Sequence, residues 1–131
     1  MKITTKLVVR ILLGLFLVIF GVNKFLLFMP PMDMPDAARE FFGSLINTGY
    51  LLQFVGVVET LAGVALLLNR FVPLALLLVA PVLVNILTFH LFLDPKTIIP
   101  GLVLTAMSVY LMFQYKPLYD PLLRATGHDD A

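Results

Sequence analysis

Five polar side chains interrupt the apolar blocks of this sequence where water is scarce: Asn23, Lys24, Glu59, Asn85 and His90. An ammonium and a carboxylate brought together in such surroundings can form an ion pair, bind a small polar headgroup or exchange a proton. Amides beside them can satisfy the donors and acceptors left over. No nucleophile–base pair is present, so no catalytic residue is assigned and no catalytic activity of its own is expected. The chain has no cysteine, which excludes thiolate chemistry and cysteine-ligated metal; with only His90 and His128, no metal site is expected. A formal net charge of +1 offers no basic face to nucleic acid.

The elements that must position these groups are membrane helices. Apolar residues make up 60% of the chain and charged ones 13%, about half the charged share of a soluble domain. Four apolar blocks reach the roughly 20 residues needed to cross a bilayer. They lie at about 7–29, 50–68, 71–93 and 95–115. The first is too long for a signal-peptide core and no small-residue cleavage site follows, so it reads as an uncleaved span that Pro30 and Pro31 end.

Between the first two blocks, Ala38, Phe41, Phe42, Leu45 and Ile46 recur at helical spacing opposite Asp36, Arg39 and Glu40. That pattern predicts an amphipathic surface helix over about 35–47, a membrane anchor in which Phe41 and Phe42 could also cover a site. Asp94 is placed to cap the fourth span, with Pro95 in its first turn, and 116–131 reads as a surface tail. The fold expected is all-α: a single membrane domain over 1–131, an antiparallel up-down-up-down bundle of four transmembrane helices. Lys2, Lys6, Arg10, Arg70, Lys116 and Arg124 fall on one side, Arg39 and Lys96 on the other. The bias predicts cytoplasmic N- and C-termini in a multi-pass inner-membrane protein.

At a rise of about 1.5 Å per residue, Lys24 lies roughly 8 Å from the outer end of its helix, Glu59 roughly 13 Å, Asn85 roughly 12 Å and His90 roughly 5 Å. On the first helix Arg10, Gly14, Leu17, Gly21 and Lys24 share a stripe, and its glycines allow close approach of a neighbour. Gly56, Glu59, Thr60 and Gly63 form a similar face on the second helix; Pro81, Asn85 and Thr88 are expected to do so on the third. A lone charge at mid-bilayer costs about 2.5–3.5 kcal/mol on insertion scales, so a Lys24–Glu59 pair helped by Asn23 and Asn85 is the less costly arrangement. His90 borders that cluster.

Plainer readings stand beside it. Lys24 is shallow enough to snorkel, Asn85 can simply cross-link helices, and His90 can be interfacial. Glu59 is too short to escape, and an intramembrane carboxylate is a functional candidate by default.

The segments RILLGLFLVIFGVNKF (10–25), GVVETLAGVALLLNRF (56–71) and PVLVNILTFHLF (81–92) resemble those of the DoxX-like family of small bacterial four-helix membrane proteins. The resemblance implies a bacterial inner-membrane protein without known chemistry of its own, an accessory to a membrane oxidoreductase system. The family takes its name from a subunit of a quinone-reducing thiosulfate oxidoreductase. No cofactor is identifiable from the residues; a quinone enters through the resemblance alone. On the leading expectation, the cluster organises the bundle or binds a small polar or quinone-type headgroup, beside a cavity open sideways to lipid. The expected partners are the bilayer and an oxidoreductase subunit or further copies of the chain. Two alternatives remain at this point: a small proton-coupled transporter or channel using Glu59, and a purely structural helix-bundle scaffold.

Overall fold

A computed structural model describes residues 2–27, 33–125 and 127. Six α-helices and two short 3-10 segments account for the regular structure, with no strand among the described residues. The first helix, α1 (Thr5–Leu26), starts at Thr4, whose hydroxyl accepts from the Leu7 N–H at 3.1 Å and satisfies a donor that would otherwise be orphaned. It closes at Leu27, a left-handed residue (φ 50°) whose N–H reaches the Asn23 carbonyl at 2.8 Å. These caps shift the helix a few residues toward the N-terminus of the expected 7–29; the Pro30–Pro31 stop lies outside the described residues.

The amphipathic helix α2 (Asp36–Asn47) packs against α3 (Leu51–Leu68) and α4 (Val72–Leu93). Its Ala38 is fully buried, and Phe41 and Phe42 lie on Phe89 of α4, with ring centroids 5.5 Å and 6.4 Å apart. The aromatic pair therefore docks α2 on the bundle. Asn69 and Phe71, both left-handed, make the tight turn from α3 to α4.

The expected span 95–115 is divided. Pro95–Thr97 is a 3-10 turn, and α5 (Ile99–Gln114) follows. Asp94 caps no backbone N–H; its buried carboxylate accepts from the Thr97 hydroxyl at 2.7 Å. Two prolines, Pro95 and Pro100, flank the break, each without a backbone donor. The tail does not stay loose: α6 (Lys116–Tyr119) and a 3-10 segment (Asp120–Leu123) fold back, and the buried Tyr119 donates its hydroxyl to the Pro73 carbonyl at 2.8 Å. His128 lies outside the described residues.

By length and composition α1, α3 and α4 can each cross a membrane; α5 is a shorter apolar helix. Their contacts run α1 to α3, α3 to α4, α4 to α5 and α5 back to α1, with the α1–α3 pairing the most extensive. Leu13, Leu17, Leu66, Leu76, Val79 and Leu111 are fully buried between them. Leu15, Phe54, Leu61, Leu78, Phe92 and Phe113 remain exposed, a surface suited to acyl chains rather than to water. The chain is a membrane protein.

Candidate functional site

The seam between α1 and α3 is built from glycine. Gly14, Leu17 and Gly21 on α1 and Gly56 and Gly63 on α3 are buried on facing sides, in antiparallel register: Gly21 opposes Gly56, and Gly14 opposes Gly63. The backbones nearly touch. A methyl placed on Gly56 would lie 2.7 Å from the Gly21 carbonyl oxygen, and one on Gly63 would lie 2.7 Å from that of Gly14. Only hydrogen at these positions lets two helices come this close.

That closeness brings two cations of α1 onto partners in α3. Lys24 Nζ lies 3.0 Å from both Glu59 oxygens; its approach to Oε2 has hydrogen-bond geometry, and the contact with Oε1 is purely ionic. Nζ also donates to the Phe20 carbonyl at 3.4 Å. Glu59 is 1% exposed, so Lys24 is its charge partner, while the lysine side chain keeps 19% of its surface accessible. Lys24 therefore reaches into the seam instead of turning away to the headgroups. At the opposite end of α1, the buried Arg10 donates from Nη1 to the Leu66 carbonyl, in the last turn of α3. A cation there meets the negative end of the helix dipole and one of its terminal carbonyls.

Beside the seam, on the side facing away from the protein, is a groove of about 370 Å³ lined by Val22, Phe25, Leu26, Val57, Thr60 and Leu61. Its lining is apolar but for Thr60, whose hydroxyl packs against Gly21 and has no hydrogen-bond partner among the described residues. Neither Lys24 nor Glu59 lines this groove. The ion pair and the groove occupy opposite sides of one helix–helix contact.

Residues 5–91, from the first turn of α1 almost to the end of α4, match the DoxX family model. The chain belongs to the DoxX family. No curated protein and no solved structure matches it. The matched stretch of this DoxX chain holds the whole glycine seam, both cations and Glu59, and ends before α5.

The expected polar layer is only partly assembled. Asn85 does not join Lys24 and Glu59. The buried face of α4 consists of Val72, Ala75, Leu76, Val79 and Leu83, and Pro81, Asn85 and Thr88 lie on the exposed side. At about 100° per residue, Asn85 is turned roughly 160° from Leu83, so one helix cannot bury both. His90 faces α5: its Nδ1 lies 2.8 Å from the Ile86 carbonyl, which fixes the proton on that nitrogen, and it borders Gly101. Asn23 stands half-buried one residue before Lys24, and its backbone carbonyl closes the α1 cap. Among the described residues no group of three metal-ligating side chains converges.

Arg10 is the residue whose partner sequence reasoning missed. Its place on the stripe with Gly14, Gly21 and Lys24 marked it as inward-facing, but a backbone carbonyl has no sequence signature.

Proposed function

We propose that this DoxX-family chain is an accessory subunit of a quinone-linked membrane oxidoreductase system, and that the α1–α3 groove seats the quinone. The observation that carries the reading is the groove, apolar and open sideways to lipid. A membrane quinone joins a long apolar chain to carbonyl acceptors. The groove offers apolar walls and the Phe25 ring to the chain and ring of a quinone, while the Thr60 hydroxyl lies buried behind them against Gly21. Lys24 and Glu59 act from behind: by holding α1 to α3 they set the width of the groove.

The test is photolabelling of the full chain in nanodiscs with an azido-quinone. Label concentrated in 22–26 and 57–61, and displaced by unmodified quinone, is expected. Label spread evenly over the lipid-facing helices and not displaced would refute the reading.

In this proposal α5 is the fourth span. Its 16 residues cover about 24 Å, and the Pro95–Thr97 turn and α6 extend it toward the two interfaces. Lys6, at the start of α1, sits 4.1 Å over the Tyr115 ring at the end of α5, which supports placing both ends on one side. The basic residues gathered there make that side cytoplasmic, in a bacterial inner membrane.

A second reading, a structural scaffold with no ligand, is favoured by one observation. Glu59 is sealed, with both oxygens at 3.0 Å from one ammonium, as expected of a pair that fixes helix register. Photolabelling separates the two readings.

A further inference from the structure

The outward face of α4 carries a pattern that the proposed quinone site does not use. Leu74, Leu78, Pro81, Asn85, Thr88 and Phe92 follow one another at spacings of four, three, four, three and four. All six are exposed, Leu74 by 52%, Leu78 by 56% and Phe92 by 75%. The repeat of 3.5 residues is that of a two-helix seam, with Asn85 at the same heptad position as Leu78 and Phe92. Thr88 satisfies itself by donating to the Val84 carbonyl at 2.8 Å. Asn85 makes no hydrogen bond among the described residues, although it lies roughly 12 Å inside the end of the helix. Acyl chains cannot satisfy a primary amide there.

We propose that this stripe is the interface of a parallel homodimer in which α4 packs on α4 of a second copy. Two features select a second copy over any other occupant. Copies inserted with the same orientation are related by a two-fold axis along the membrane normal, which brings residue 85 of each to one depth without further adjustment. The carboxamide is also self-complementary: its C=O accepts from the partner's NH₂ while its own NH₂ donates to the partner's C=O. One polar residue at such a position is the usual device for fixing register and a two-stranded state. Pro81, on the same stripe, leaves the Leu77 carbonyl without its helical donor.

The natural chain has no cysteine, so each introduced thiol is unique. Leu78→Cys and Thr88→Cys, in the full chain in membranes, are oxidised and run on non-reducing gels beside Leu61→Cys and Val109→Cys, which are exposed on α3 and α5. The two stripe variants are expected to give a disulfide-linked dimer of the chain, and the controls little. Adding Asn85→Val to Leu78→Cys should lower the dimer yield by about fivefold, the scale of two membrane hydrogen bonds, and Asn85→Gln should restore part of it. Equal cross-linking at the control positions, capture of a different protein at position 78, or indifference to Asn85→Val would each overturn the proposal.

Discussion

The seam between α1 and α3 and the outward face of α4 both carry polar groups into an apolar environment, but they treat them differently. On the seam, Lys24 meets Glu59 and Arg10 meets the Leu66 carbonyl, with glycine contacts between the two attachments. On α4, Asn85 is exposed and makes no hydrogen bond within the described chain. The first region is finished by the chain itself; the second is finished only in the proposed dimer. On that proposal polarity inside a membrane has two uses here, cohesion within a monomer and specification of a neighbour, and burial tells them apart.

The sharpest way to break this contrast is to strip Glu59 of its cation. Lys24→Met leaves a sealed carboxylate with no partner and should cost about 3–5 kcal/mol in denaturant titrations of the detergent-solubilised protein. Glu59→Leu should cost roughly half as much, because the freed lysine, partly accessible, can swing to the interface. Equal losses from the two variants would show that Lys24 is as confined as Glu59. Next, Gly56→Ala drives a methyl into the Gly21 carbonyl and should cost about 1–3 kcal/mol, read in the same titration. Arg10→Met should cost about 1.5–3 kcal/mol, the range of a charged hydrogen bond, and Arg10→Lys less.

The seam was readable in the sequence because both helices repeat glycine and charge at spacings of three and four. Arg10, Gly14, Gly21 and Lys24 on one strip, and Gly56, Glu59 and Gly63 on another, form two complementary surfaces. The side on which Asn85 lies is not legible in the sequence because α4 is apolar all round. Its buried side is Val, Ala and Leu and its exposed side is largely Leu and Phe, so periodicity cannot tell core from lipid. Assigning the only mid-helix amide to the interior follows the general cost of polar groups in lipid, and that argument cannot anticipate a second chain. The break at Asp94–Thr97 was obscured in a similar way: Asp followed by Pro is also what a clean helix start looks like.

Two smaller effects complete the comparison. Burial, and secondarily Tyr115, push the Tyr119 phenol above its ordinary value of 10.0. Because the folded state favours the neutral phenol, its contribution is intact below pH ~10 and is lost as pH rises through the folded value. Tyr119→Phe should remove that alkaline loss from a pH–stability profile and cost about 1 kcal/mol near neutrality through the bond to Pro73. Smallest of all, Asn85→Leu should leave the stability of the isolated monomer within about 0.5 kcal/mol, measured in dilute detergent. A large loss there would mean that Asn85 belongs to the monomer after all.

The 35 positions separating Lys24 from Glu59 also bear on how the protein is made. A ribosome adds residues at about 5–20 per second, so the lysine emerges roughly 2–7 seconds ahead of its counter-charge. During that interval α1 must enter the bilayer with an unneutralised ammonium in its last turn, from which a flexible four-carbon stem can still reach water. Had the order been reversed, the short carboxylate would have had to wait alone in the middle of its helix. Placing the long cation on the helix made first lets the chain insert before its interior is complete.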